Sequence, residues 1–305
     1  MTLLLADEVR DAMAHGRPVV ALESTIIAHG LPRPRNLEVA LELEELVRAG
    51  GAVPATVAVL DGRVHIGLDK ADLERVAADE KMRKLGHRDL APALAEGASG
   101  ATTVSGTGFL ASKVGIKVFA TGGLGGVHRG WTRTQDESAD LRMLASTRIT
   151  VVCAGAKSVL DVPATLQRLE TLGVAVIGYG TDTFPGFYLT SSGEPVGWTA
   201  PDARTVVGAM RAQESLGGPC SALVVANPVP QEQQLDPELH DRVLEEALAA
   251  CARDRVSGAD VTPYLLDHLV RHTDGAALEA NVAAVRGNAR LAARIAAVWT
   301  ATAHT

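Results

Sequence analysis

The chain has 305 residues, 47% of them apolar and 3% aromatic, and a formal net charge of −7. Such a length and apolar fraction support one large buried core, and the economical organisation is a single domain over residues 1–305. The acidic balance, with no basic run beyond the scattered arginines near 290–294, argues against a polyanion-binding face and so against nucleic acid as a partner.

Cys153, Cys220 and Cys251 are odd in number and form no C-x-x-C pair, which speaks against a disulfide framework or a structural zinc site. "MTLLLADEVRDAMAHG" is too charged for a signal peptide, and no apolar run reaches the ~20 residues of a membrane span. A cytoplasmic protein with no membrane partner is expected.

In chain order, short β-branched runs predict buried strands at 18–22, 55–60, 117–121, 149–155, 174–179 and 222–227. "DGR" at 61–63 predicts one hairpin. Helical periodicity falls at 36–49, with Asn36 as its cap, and at 71–79, 89–96, 138–146, 158–172 and 202–216. Beyond 235 the chain reads as almost wholly helical, ending in an Ala-rich helix at about 276–299. Alternation of this kind predicts an α/β fold, a mixed or mainly parallel sheet covered by helices on both faces, with a helical C-terminal region.

Chemistry is expected just past the carboxyl ends of the strands. Glu23 ends the first predicted strand, as a general acid or base or as a structural acceptor. "FATGGLGGVHRG" fails the dinucleotide fingerprint, because the third glycine position is His128. Its glycines instead allow backbone N–H groups to approach a small anion, with His128 and Arg129 adding donors, unless the loop is only a tight connection. "GATTV" at 100–104 and Lys84 suit the same small phosphorylated ligand. "TQDESADL" brings Asp136, Glu137 and Asp140, with Asp136 and Asp140 on one face if the helix starts early. They serve either as hard oxygen ligands for Mn²⁺ or Mg²⁺ or as partners of the helix dipole. Lys157 follows an apolar strand and precedes Ser158, a candidate helix cap. There the positive end of the dipole would favour a neutral, nucleophilic amine over a snorkelling surface lysine.

Nine segments in order, "ALESTIIAHGLPRPRNLEVA", "ATVAVLDGRVHIGL", "GATTV", "VFATGGLGGVHRG", "SADL", "VVCAGAKSVLDVPATLQRLETLGV", "GYGTDTFPGFY", "ANPVP" and "VTPYLL", resemble the pseudouridine-5'-phosphate glycosidases, the indigoidine-synthase-A-like family. The resemblance runs from about residue 18 to residue 296. It implies an α/β/α sandwich, a homotrimer, a divalent metal such as Mn²⁺, and reversible cleavage of the C–C glycosidic bond of pseudouridine 5'-phosphate to uracil and ribose 5-phosphate. It further implies Lys157 as nucleophile and Glu23 as proton donor. Asp136 matches the metal ligand, and Lys84, Val104, Ser138, Ala139 and Asp140 match substrate-binding positions. Thr103, Thr121 and His128 are added around the ribose phosphate, and Asn281 at the base.

Two stretches depart from the family pattern, and both concern the aglycone side. Gly108 stands where a methionine is expected, and Trp131 and Glu137 where small and aliphatic residues are expected. A missing methionine would open room for a larger aromatic acceptor, with Trp131 stacking on it, as in a C-glycosynthase of a natural-product pathway. The competing explanation is repacking without change of function.

Overall fold

The structure is a computed structural model, and residues 3–217 and 220–302 are described. An edge strand β1 (Leu3–Leu5) and helix α1 (Asp7–Ala14) lead into β2 (Val19–Glu23), whose apolar residues are buried up to Glu23. Helix α2 (Arg35–Ala49) returns the chain to β3 (Val53–Leu60). Asn36 is not its cap. Its buried amide donates instead to the carbonyls of Ile27 and Ala77, tying the start of α2 to the preceding and following segments. β4 (Arg63–Ile66) pairs antiparallel with β3 through the expected hairpin, where Asp61 and Gly62 both take the positive φ that a two-residue turn demands.

After α3 (Lys70–Ala78), β5 (Arg83–Leu85) and α4 (Leu90–Ala95), the short strand β6 (Gly100–Thr102) passes into α5 (Val104–Lys113). Then come β7 (Val118–Ala120), the short α6 (Trp131–Thr134), α7 (Ala139–Ser146), β8 (Thr150–Cys153) and α8 (Val162–Thr171). Helix α8 begins four residues after Ser158, because Asp161 caps it by accepting the Ala164 N–H, and Pro163 fits its first turn. β9 (Ala175–Tyr179), β10 (Trp198–Ala200), α9 (Ala203–Leu216) and β11 (Leu223–Ala226) complete the sheet. Helices α10 (Pro237–Arg253), α11 (Val261–His272) and α12 (Ala276–Ala301) follow, as the sequence predicts.

The described sheet has eleven strands in the order β1-β4-β3-β2-β7-β8-β11-β9-β10, with β6 and β5 branching from β3. Its centre is parallel, and β3 meets β4 and β6 antiparallel, so the sheet is mixed as expected. β2 pairs with Val53–Val57 of β3, while β6 pairs with Ala58 and Val59 beyond it. The end of β2 is thereby turned toward the end of β6.

Two apolar clusters lie on opposite faces of the sheet. One packs α2, α9 and α12 against it, the other α1, α5, α7 and α8. A third joins α10, α11 and the first turns of α12 to the segment after β8. No helix among the described residues is long and apolar enough to cross a membrane.

Candidate active site

Glu23 and Thr121 stand at the ends of the neighbouring strands β2 and β7, and the Thr121 hydroxyl donates to the Glu23 carboxylate. Burial pushes the Glu23 carboxyl above the usual carboxylate range, against the opposing pull of the Lys157 ammonium and the Thr121 hydroxyl. Asp140 and Lys84 act on the same carboxylate electrostatically. Lys84 keeps part of its surface open; partial desolvation and then repulsion from Lys157 hold its ammonium below the usual lysine range. Glu23, Lys84, Lys157 and Asp140, singled out at separate places in the sequence, are brought to one site.

Lys157 occupies a loop, not a helix start. Its N–H donates to the carbonyl of Leu124 at 3.0 Å, and its own carbonyl accepts from Leu160. With α8 starting only at Val162, Lys157 does not stand at the N-terminus of that helix. Glu23 and Lys84 are its charged neighbours across the site. Cys153, four residues earlier, is no rival nucleophile: burial pushes its thiol up to about 12.

The glycine loop is only in part an open cradle. The N–H groups of Thr121, Leu124, Gly125, Val127 and His128 already bond to Val152 O, Gly155 O, Asp140 Oδ2, Thr165 Oγ1 and Asp136 O. Part of the turn is taken by one of the protein's own carboxylates. One oxygen of the buried Asp140 accepts from Gly125 N and the other from Ser105 N, each at 2.9 Å, which clamps the loop to the start of α5. A Cβ at Gly125 would lie 2.2 Å from Ser138 Oγ, and one at Gly123 would lie 2.4 Å from the Phe187 ring. Close packing, more than unusual dihedrals, requires glycine at both positions.

Thr103 occupies the N-cap position of α5 without a side-chain cap bond and Val104 opens the helix, with the Thr103 hydroxyl 3.1 Å from Ser105 Oγ. Ser138 caps α7 by accepting the Asp140 N–H, and Ala139 begins that helix on the exposed side. Asn281, on α12, brings its side-chain oxygen beside Gly122. The sequence reading missed Asn288, two turns further along α12 and fully buried. It donates to the carbonyls of Thr121 and Gly122 at 2.7 and 3.2 Å and accepts from Asn227 at the end of β11. The seven-residue spacing from Asn281, which places both on one helix face, was the available signal. Ser24 was missed as well; it donates to Val57 O and accepts from Thr102 N, fastening β6 to the end of β2.

The acidic segment divides its work. Because α7 starts at Ala139, Asp136 and Asp140 do not share a helical face, and the paired-ligand expectation fails. Asp140 is taken by backbone N–H groups and Glu137 by Arg168 at 3.0 Å. Asp136 stays partly exposed, with His128 Nδ1 3.8 Å from its carboxylate. Among the described residues no three His, Cys, Asp or Glu side chains form a metal cluster. The donor set therefore fits only a hydrated hard cation held through one carboxylate, Asp136.

The opened aglycone space is not present at Gly108. That residue lies in the buried face of α5, and a Cβ there would come within 2.6 Å of Met143 Cε. Met143, itself buried, fills the volume that a methionine at 108 would take, which makes Gly108 a repacked position. Trp131 opens α6 and is 39% exposed.

Comparison with known proteins places the chain among named relatives. The profile of the family described as "Indigoidine synthase A like protein" matches residues 8–298. A pseudouridine-5'-phosphate glycosidase of Streptomyces griseus subsp. griseus is 72% identical over 96% of this chain and 91% of its own length. That of Frankia alni is 56% identical over 98% and 82%. Among solved structures, the prealnumycin C-glycosynthase AlnA in complex with ribulose 5-phosphate superposes with a TM-score of 0.91 at 38% identity, covering 99% of this chain and 98% of that one. The indigoidine synthase A-like protein of Thermotoga maritima does so with 0.85 at 37%, covering 92% and 93%. With the profile spanning nearly its whole length and relatives this similar, the chain belongs to the indigoidine synthase A-like family.

Proposed function

We propose that the protein is a pseudouridine-5'-phosphate glycosidase, catalysing reversible cleavage of the C–C bond between uracil and ribose 5-phosphate. The observation that carries this reading is the meeting of Lys157, Glu23 and Lys84 at the strand ends, with Glu23 desolvated. The names of these relatives supply the substrate.

A C-glycoside has no electronegative leaving atom to protonate, so cleavage needs an electron sink at C1 of the sugar. In the synthetic direction the Lys157 amine condenses with the C1 aldehyde of open-chain ribose 5-phosphate, forming an imine and releasing water. Uracil C5 adds to the imine carbon and gives up its C5 proton. The sugar O4 then closes onto C1 and displaces the amine. Cleavage is the reverse, with the proton delivered to C5 as the C–C bond breaks. Glu23, whose raised carboxyl is suited to hold and return a proton, is the acid and base. Lys84, with Thr103, Val104, His128, Ser138 and Ala139 at the mouths of the two turns, serves the sugar phosphate. Asn281 serves the uracil edge.

Asp136 would hold the divalent ion, Mn²⁺ or Mg²⁺, which supplies positive charge toward the phosphorylated substrate when bound. A homotrimeric assembly and a cytoplasmic location belong to the same reading. Light scattering tests the first.

The likeness to a C-glycosynthase fits the same bond made in the synthetic direction on another acceptor. Incubation with ribose 5-phosphate, Mn²⁺ and either uracil or a panel of aromatic acceptors, followed by mass spectrometry, separates the two. Pseudouridine 5'-phosphate from uracil is the expected product. Product from an aromatic acceptor with none from uracil would overturn the reading. Chelator should abolish turnover and Mn²⁺ restore it in the wild type but not in Asp136→Ala.

A further inference from the structure

Ser158, the residue after Lys157, has a task that its sequence position does not reveal. It is buried, and Asp161 relieves it of capping α8. Its hydroxyl lies 2.8 Å from Nε2 of His240 on α10, a ring only 3% exposed. On the other side of that ring, Nδ1 lies 2.9 Å from the Asp241 carboxylate. A carboxylate only accepts, so Nδ1 carries a proton, and Nε2 shares a hydrogen bond with the Ser158 hydroxyl on the opposite side of the ring.

The loop is held from two other directions. Arg129, at the end of the glycine loop, donates to the carbonyls of Ser158 and Val159, and Leu124 O accepts the Lys157 N–H. Behind His240 stands the buried Tyr188, and beside it Phe187, whose ring presses on Gly123. A continuous packed path therefore runs from α10 to both loops of the site, and the Ser158–His240 bond is its polar link to the lysine segment.

We propose that the Ser158–His240–Asp241 chain is a positioning device that fixes the Lys157 backbone, and with it the amine, for attack on the sugar aldehyde. The proposal rests on the reading of Lys157 as nucleophile. His240 and Ser158 act through Lys157 and are positioning residues. Their loss should lower kcat and leave sugar-phosphate binding in place, because misplacing a reacting group by about an ångström costs on the order of 10² in rate.

The test compares Ser158→Ala, His240→Phe, His240→Gln and the Ser158→Ala/His240→Phe double variant in the full chain, with folding checked by circular dichroism. kcat and KM for pseudouridine 5'-phosphate are measured, as is borohydride trapping of ribose 5-phosphate on Lys157. Ser158→Ala and His240→Phe should each lower kcat and the trapping rate roughly 10- to 100-fold, with KM within about twofold. The double variant should be no worse than either single one, since both remove the same bond. His240→Gln, whose amide can reach the Nε2 position, should recover most of the rate. Should His240→Phe fail to fold, Ser158→Ala against Ser158→Thr carries the same comparison.

Wild-type kcat and trapping in folded His240→Phe or Ser158→Ala, or losses that add in the double variant, would overturn the proposal while Lys157 stands. A wild-type enzyme that turns over but never carries the pentose on Lys157 would remove the nucleophile itself, and the proposal with it.

Discussion

Glu23 concentrates the chemistry in one carboxyl group, and two expectations follow from its surroundings. Glu23→Gln keeps the shape and the contact with Thr121 but cannot exchange a proton, so turnover should fall by ~10² to 10⁴ with KM little changed. Steady-state kinetics check this. The second concerns stability. Burial raises this carboxyl above its unfolded value, so the folded state binds the proton more tightly than the unfolded chain. Its contribution is full below the unfolded carboxylate range and is lost as pH rises through the raised folded value. Glu23→Gln escapes that loss. Its melting temperature should exceed that of the wild type on the alkaline side, and the gap should close in acid. A constant gap across the titration would contradict the assigned shift. Glu23 and Lys157 stood out in the sequence because one ends an apolar strand and the other follows one. The bonding of Asp140 was not, since its two partners, Gly125 N and Ser105 N, come from turns far apart in the chain.

At the scale of elements, the long strands and amphipathic helices were legible from periodicity, while β1, β5, β6 and β10, three residues each, are too short to carry any. Helix α5 was missed because its sequence, VSGTGFLASK, has two glycines and is buried on nearly every side. That same burial decides what Gly108 does. Gly108→Met would drive a side chain into Met143 and should cost roughly 1–3 kcal/mol by overpacking, read as a lower melting temperature, with acceptor choice unchanged. Shortening the neighbour in Gly108→Met/Met143→Ala should recover part of the loss. An acceptor preference that shifts in Gly108→Met without loss of stability would restore this position to the aglycone pocket.

For the whole molecule, the decisive feature is how a mixed sheet ends. β2 stops at Glu23, β6 takes its place beside β3, and α12 crosses behind β2, β7 and β8 to put Asn288 under the glycine loop. The sandwich and the terminal helices followed from element order, but this convergence depends on strand register, which element order leaves open. Asn288→Leu would leave the Thr121 carbonyl and the Asn227 amide without this partner and the Gly122 carbonyl with the Ala154 N–H. It should cost about 1–3 kcal/mol in denaturant unfolding and reduce turnover by disturbing Thr121 against Glu23. Everything assembled around these strand ends serves one amine, and one measurement asks about it most directly. Active protein is treated with ribose 5-phosphate and borohydride, then digested and mapped by mass spectrometry. The account predicts a reduced pentose phosphate on Lys157, absent in Lys157→Ala and in Lys157→Arg, whose guanidinium is no nucleophile at neutral pH. Adduct on Lys84 instead, or on no lysine of an active preparation, would contradict it.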